Sequence, residues 1–370
     1  MRYYIIAGEA SGDLHASHLI KSIKRVDATA SIHAWGGDRM QSQGATIRKH
    51  YRETAFMGFL EVIKNLKQIR ANFSFCKKDI LSFNPDVVVF IDYPGFNLRM
   101  AKWAKKKGIK TAFYISPQIW AWKSGRVKII RKYVDKMITI LPFEKEFYHK
   151  HKVQVDYVGH PLLDEIDNFA PEANYKTSLA GEMELLALLP GSRKQEVERM
   201  LPRMLQASSQ LENHCVAIAK APSLPFELYE KIIKKHTRLP IQLVENKMYQ
   251  LLHVADFVWV TSGTATLETA LFKVPQIVCY IADPFSYWIA KRLIKVKFIS
   301  LVNLIMDRKI IPELIQSTCT VENIVHTFKQ MKGTYAKNEL FENYNVLANI
   351  LGGPGASQKA AEIIIKLAKS

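Results

Sequence analysis

Leu188-Leu189-Pro190-Gly191-Ser192-Arg193 and Thr261-Ser262-Gly263-Thr264-Ala265-Thr266-Leu267-Glu268 each close an apolar run and open a helical pattern. The runs before them, 185–189 and 257–260, read as buried strands. A strand that ends in Gly-Ser and turns into a helix offers free backbone N–H groups and the positive end of a helix dipole, which together seat a phosphate. Two such seats in one half of a chain point to a nucleotide. Arg193 adds charge there, and Glu268 can accept hydrogen bonds from ribose hydroxyls.

The same alternation runs outward from these stretches. Further strands are expected at 215–219, 241–244 and 276–280, with helices at 195–211, 226–236, 248–255 and 265–271. The first half repeats the plan, with strands at 3–7, 31–35, 87–91, 111–116, 137–141 and 155–158 and helices between them, for example 14–25 and 58–81. Several of these strands are unbroken Val/Ile/Phe runs, the mark of parallel strands covered on both faces. The fold class is α/β, with two Rossmann-like doubly wound domains facing a cleft. We expect the boundaries 1–170, 171–345 and a helical tail 346–370 that returns to the first domain. The polar stretch 164–180, with Pro171 and Asn174, reads as the linker.

Composition narrows the function without choosing it. Of 370 residues, 48% are hydrophobic and 23% charged, a globular balance, and the net charge is +18. Such a charge suits nucleic acid, an anionic membrane or phosphorylated substrates. Cys76, Cys215, Cys279 and Cys319 are far apart and form no Cys-x-x-Cys pair, so they read as buried thiols of a cytoplasmic protein. No apolar run is long enough for a signal peptide core or a membrane span, so any membrane contact is expected to be peripheral.

Ligands of doubly wound sheets bind beyond the carboxyl ends of the strands. Gly8-Glu9-Ala10-Ser11-Gly12-Asp13 follows the first strand. Its glycines allow a tight turn and close approach of a ligand, and Ser11 or Asp13 serves equally well as a helix cap. Its spacing is not that of a dinucleotide fingerprint, which argues against hydride chemistry. Asp92-Tyr93-Pro94-Gly95-Phe96-Asn97 follows strand 87–91, and Asp92 reads either as a general base or as a cap. Ser116-Pro117-Gln118-Ile119-Trp120-Ala121-Trp122-Lys123 offers two tryptophans as a wall or as core, ahead of a basic helix with Arg126, Lys128, Arg131 and Lys132. Gly159-His160-Pro161 carries a lone histidine better read as structural than as a metal ligand.

Taken in order, GEASGD, IDYPGFN, SPQIWAWK, VGHPLLD, LLPGSRKQEV and TSGTATLE, with the tail ASQKAAE, closely resemble the lipid-A-disaccharide synthases. The resemblance spans essentially the whole chain and implies the GT-B arrangement of two Rossmann-like domains. It implies transfer of 2,3-diacylglucosamine from its UDP derivative to 2,3-diacylglucosamine 1-phosphate with inversion, and no cofactor. It assigns Asp92 to activation of the acceptor hydroxyl and Glu9 and Ser11 to the first loop needed for activity. Gly191, Ser192, Arg193, Ser262, Gly263, Thr264, Glu268 and Asn303 fall to the UDP pocket. Two departures stand out. Where the family often reads I-D-A-P-D-F-N, this chain has Tyr93 and Gly95, so a second carboxylate in that loop is not required here. Val302 stands where the family commonly has Pro, before Asn303.

No Asp-x-Asp pair is present, so no metal is expected, and the helix start at 191–193 must stabilise the leaving diphosphate. Domain closure would exclude water from the donor. The acylated substrates imply docking on the cytoplasmic face of an anionic inner membrane. For that docking the best stretch is 56–78, with Phe59, Val62, Ile63, Leu66, Ile69 and Phe73 as one stripe and Phe56, Met57, Leu60, Lys64 and Lys67 as membrane contacts. A second candidate is 285–298. A homodimer is compatible with this reading. Its rivals are a UDP-sugar 2-epimerase of the same plan, a non-enzymatic membrane-surface protein and a nucleic-acid-binding protein. The last is disfavoured because the basic residues are spread over many helices without a binding motif.

Overall fold

Val87-Val88-Val89-Phe90-Ile91 contains no polar residue, and in the computed structural model all five are fully buried. The structure describes residues 1–53, 66–122, 124–283 and 297–370. Among these the chain divides into two units, Met1–Asp167 with Leu351–Ser370, and Asn168–Ile350.

In the first unit the strands are β1 (Arg2–Ala7), β2 (Ser31–Gly36), β3 (Thr46–His50), β4 (Val87–Ile91), β5 (Lys110–Tyr114), β6 (Lys136–Thr139) and β7 (Asp156–Tyr157). They form a parallel sheet in the order β3-β2-β1-β4-β5-β6-β7. β3 was not among the expected strands. It is a polar edge, Thr46-Ile47-Arg48-Lys49-His50, only half-buried, and charged edges of this kind resist pairing with other chains.

The helix Ala10–Val26 buries one face against the sheet. The helix Leu66–Phe83 is tied to it by Asp79, which accepts hydrogen bonds from Tyr4 Oη at 2.6 Å and Arg48 Nε at 2.9 Å.

The second unit holds β8 (Glu184–Leu189), β9 (His214–Lys220), β10 (Ile241–Glu245), β11 (Phe257–Val260), β12 (Gln276–Tyr280) and β13 (Glu313–Ile315). Their order is β10-β9-β8-β11-β12-β13, again parallel. β13, three residues at the sheet edge, also escaped the sequence reading because it is too short for a pattern. Met200, Met204, Trp259 and Phe328 fill the core on one face of this sheet.

The stretch 164–180 is less irregular than expected. It holds the end of the helix Leu162–Asp167 and the helix Tyr175–Ala180, and residues 168–174 alone lack regular structure. Asp164 is a buried anchor. Its carboxylate accepts from Gly355 N at 2.5 Å and Ser357 N at 2.9 Å, capping the final helix Ala356–Lys369. That helix packs on the helix Ala10–Val26 and on β4, β5 and β6. Gly159 adopts φ +93°, and a Cβ there would lie 3.4 Å from the Leu351 carbonyl. His160 is buried and its imidazole is pushed down to about 3, chiefly by burial and then by neighbouring His15. Such a neutral ring is a structural member: its Nδ1 accepts from Leu162 N at 3.2 Å.

Removing a helix N-cap costs about 0.5–2 kcal/mol, and in a unit of this size each kcal/mol lowers Tm by about 2–4 °C. Asp164→Ala should therefore melt several degrees early and expose residues 351–370 to protease before the rest of the chain. Differential scanning calorimetry with limited proteolysis checks both.

Candidate active site

The first sheet reverses its winding between β1 and β4. β1 leads to β2 on one side and β4 to β5 on the other, so the exits of β1 and β4 diverge and leave a crevice. Ala7 pairs with Ile91, which sets Gly8 beside Asp92. The two loops singled out in the first half of the sequence therefore meet at the switch point.

Asp92 and Tyr93 both lie in the left-handed region, at φ +42° and +47°. A short polar side chain tolerates this, whereas a tyrosine pays about 1–2 kcal/mol. The Tyr93 ring stacks on Phe96, 5.6 Å between centroids, and lies across Gly8. A Cβ on Gly8 would come within 2.4 Å of that ring, so only glycine fits. One strand further along, Ile115 takes φ +65° at the exit of β5, a costly place for a β-branched residue. Strained exits of this kind cluster at functional sites.

The Asp92 carboxyl is pushed up to about 7. Burial is the largest cause and the nearby charge of Glu9 the second, while the Tyr93 N–H opposes both. Asp92 is not the cap of the following helix, because the residue at that position is Tyr93. Glu9 precedes the helix Ala10–Val26, and its side chain does not cap it either. Ser11 is exposed in the first turn.

The expectation that Ser11 or Asp13 caps this helix is corrected. Asp13 is buried and accepts from Gly37 N at 2.7 Å, Met40 N at 3.2 Å and Arg39 N at 3.2 Å, binding the start of the helix Asp38–Ser42. In the Ser-Pro-Gln-Ile-Trp segment, Ser116 Oγ is hydrogen-bonded to Tyr148 Oη at 2.7 Å, and Trp120 stands edge-on to Phe143. Both contacts lie within the packing of the unit.

The second sheet has its own switch point between β8 and β11, where Leu189 pairs with Val260 and Thr261 N donates to the Leu189 carbonyl at 2.8 Å. Both anion-seat motifs are thus adjacent. At the first of them the acceptor comes from within the following helix. The N–H groups of Ser192 and Arg193 are engaged by the Glu196 carboxylate at 3.3 and 3.2 Å, and the Arg193 guanidinium reaches the same group at 3.4 Å. Gly191, at φ +108°, makes room for it: a Cβ would lie 2.7 Å from Glu196 Oε2. Glu196 was missed in the sequence, although its place three residues after Arg193 is that of a reciprocal helix cap.

At the other seat Gly263 and Thr264 are exposed at the start of the helix Thr264–Leu271, and Ser262 Oγ is anchored to the Ile299 carbonyl at 2.8 Å. Glu268 is buried, and its Oε1 accepts from Tyr249 Oη at 2.8 Å. Asn303 is fully buried with its amide wholly engaged. Nδ2 donates to the Ile311 carbonyl and Glu313 Oε1, both at 2.9 Å, and Oδ1 accepts from Ile310 N at 2.8 Å and Ile311 N at 3.1 Å. It braces the turn at Ser300, whose hydroxyl also bonds Glu313 at 2.6 Å.

Of the proposed membrane contacts, Phe56, Met57, Leu60 and Lys64 lie outside the described residues, as do Phe59, Val62 and Ile63 of the stripe. Most of the second candidate, 285–298, lies outside them too. Lys67 is exposed. Phe73, at the far end of the stripe, stacks on Phe96 at 4.3 Å and packs against the core, so that part of the stripe is structural.

Comparison with known proteins completes the picture. A solved UDP-GlcNAc 2-epimerase from Neisseria meningitidis, bound to UDP-GlcNAc, superposes with a TM-score of 0.68 over 99% of this chain and 100% of that one, at 12% identity. That likeness gives the fold, GT-B, and leaves the reaction open. The lipid-A-disaccharide synthase of Geobacter metallireducens is 36% identical over 385 residues, covering 99% of this chain and 97% of the relative. That of Syntrophus aciditrophicus is 38% identical, with the same coverage of both. The family model for lipid-A-disaccharide synthetase matches residues 3–349. Neither the epimerase nor the non-enzymatic readings are favoured by these matches, and the chain belongs to the lipid-A-disaccharide synthase family, glycosyltransferases of lipid A biosynthesis.

Proposed function

We propose that this chain joins UDP-2,3-diacylglucosamine to 2,3-diacylglucosamine 1-phosphate by a single inverting displacement, releasing UDP and the β-1′,6-linked disaccharide phosphate, with no cofactor or metal. The observation that carries the reading is Asp92, a carboxyl at a strand exit with its affinity for protons raised to about 7. A sugar hydroxyl is a poor nucleophile until a base takes its proton as the new bond forms. Asp92 is suited to accept it while the C1–O bond to the diphosphate breaks and UDP carries away the electron pair. Glu9 acts here through its charge, keeping Asp92 basic, and Ser11 contributes a hydroxyl from the adjoining turn.

A raised carboxyl is in its base form only above its own pKa. Turnover should therefore climb through pH 7 and be about tenfold lower at pH 6 than on the plateau. Asp92→Asn should lose about 10²–10⁴-fold in kcat and this acid limb with it, while UDP binding survives. Steady-state rates across pH 5–9 with the purified variant check this; a variant that turns over normally removes Asp92 from the role.

In the nucleotide unit, Arg193 and the N–H groups of Ser192 and Arg193 suit the diphosphate, which would take over the place of Glu196 as their acceptor. Gly191 admits the close approach. The turn of Ser262, Gly263 and Thr264, of which the last two are exposed, offers further N–H groups, and Glu268 suits the ribose hydroxyls. With every polar atom of its amide engaged, Asn303 serves as a positioning residue for the pocket. Hydrogen bonds to charged groups contribute about 1.5–3 kcal/mol, so Arg193→Ala and Glu268→Ala should each weaken UDP by about tenfold or more. Isothermal titration calorimetry reading unchanged affinity in both would move the nucleotide elsewhere.

Among the described residues no helix is long and apolar enough to cross a membrane. Peripheral docking on the cytoplasmic face of an anionic bilayer is supported by Lys67, Arg70 and Lys78, all exposed, and by Phe75, 41% exposed with Lys49 Nζ 5.9 Å from its ring. Basic residues near such a surface contribute about 1 kcal/mol each. The combined change Leu60→Glu, Lys64→Glu and Lys67→Glu should leave a folded protein that sediments less with phosphatidylglycerol vesicles and recovers turnover on micellar substrates. Unaltered sedimentation would place docking at another surface, with 285–298 tested next.

A further inference from the structure

Asn97 is fully buried in the first turn after Asp92, in the helix Pro94–Lys106. Its amide nitrogen faces three backbone carbonyls: Asp92 at 2.8 Å, Ile91 at 3.2 Å and Ile6 at 3.3 Å. Ile91 ends β4, Asp92 directly follows it, and Ile6 is the last residue but one of β1. An amide has two N–H groups, so one hydrogen is shared between two of the oxygens. The orientation is fixed, because the reverse one would press Oδ1 against three carbonyl oxygens. Oδ1 is buried and accepts no hydrogen bond among the described residues. Leaving a buried acceptor unmet is costly, because its desolvation goes uncompensated. The cost is spent where β1 and β4 would otherwise diverge, and where the backbone of Asp92 and Tyr93 is left-handed.

We infer that Asn97 is a positioning residue for the transfer reaction: its amide clamps the exits of β1 and β4 and holds the Asp92 backbone in the conformation that aims its carboxylate. The inference rests on the reading of Asp92 as base. The 2.8 Å bond runs to the carbonyl of Asp92 itself, so the clamp acts on the peptide that carries the side chain. With the clamp gone, the left-handed pair can relax toward ordinary backbone, turning the carboxylate away from the crevice. A displacement of about 1 Å in a reacting group costs about 10²-fold in rate. Tyr93, which closes over Gly8, would shift with it.

The test uses the full chain with Asn97→Ser, which keeps one donor on a shorter arm, and Asn97→Asp, which keeps the shape and loses the donors. Each is made alone and in the Asp92→Asn background. Folding is followed by circular dichroism, and kcat and KM are measured with both substrates in micelles. We expect kcat to fall about 10- to 100-fold in the single variants, with KM for the UDP donor within about twofold. In the Asp92→Asn background either change should leave the residual kcat unaltered, since the group it positions is already lost. A folded Asn97→Ser enzyme with intact kcat overturns the inference. So does an equal fold-loss in both backgrounds, which would show an effect not routed through Asp92. Failure of both variants to fold overturns it as well, leaving Asn97 a stability residue. Full turnover in Asp92→Asn alone refutes the base assignment, a result separate from any of these.

Discussion

A parallel sheet covered on both faces sends every strand out at the same edge, and this constraint organises the rest of the molecule. Continuous apolar strands such as β4 and β8 have no solvent face on which to carry function. The chemistry is therefore displaced to the residues just after them. Within that edge, the one place with room for a ligand is where winding reverses, because neighbouring loops there leave in opposite directions. Both sheets satisfy the constraint in the same way, between β1 and β4 and between β8 and β11.

The sequence was legible where burial leaves a strong pattern. Residues 87–91 and 185–189 announce central strands, and Gly8, Asp92, Gly191 and Ser262 are conspicuous because each directly follows such a run or lies within two residues of its end. The edges β3 and β13 were illegible for the converse reason: one is polar and half-buried, the other three residues long. The partners of the site residues were illegible for a different reason. That Asp13 binds Gly37, Arg39 and Met40 depends on which loops become neighbours, whereas Glu196 carried a local capping signal that went unread. Strand order, which a list of strands does not contain, decides the neighbours.

The carboxylate of Glu196 shows how the N–H groups of a helix start can be met from within the chain. Converging N–H groups and a cation at a helix start are costly when unmet. Here the protein supplies its own acceptor, and the absence of a side chain at Gly191 is what lets Glu196 approach. A nucleotide bound there, as proposed, would have to exchange for this contact. The seat is then held in shape before binding, at the expense of part of the gross binding energy. Arg193, 59% exposed and paired to Glu196 at 3.4 Å, loses little in such an exchange, because an exposed pair of this kind contributes at most about 1 kcal/mol.

On the proposed reading of Asp92 as the base, the first unit meets a related problem by backbone strain. A carboxylate that is to accept a proton near neutrality must be shielded from water and yet open to its substrate. Burial and the Glu9 charge raise its proton affinity, and both work against folding of the charged form. The left-handed pair Asp92–Tyr93 adds conformational cost at the same point. Such a cluster persists only where its surroundings are rigid, and here they are. Val89, Phe90 and Ile91 are completely buried, Tyr93 stacks on Phe96, Phe96 stacks on Phe73 and Trp35, and the final helix covers neighbouring strands from beyond the second unit in sequence. A core that repacks only at high cost can hold a strained exit that an isolated loop would relax. The apolar packing around β4 is therefore what allows the strained exit at Asp92 and Tyr93 to persist.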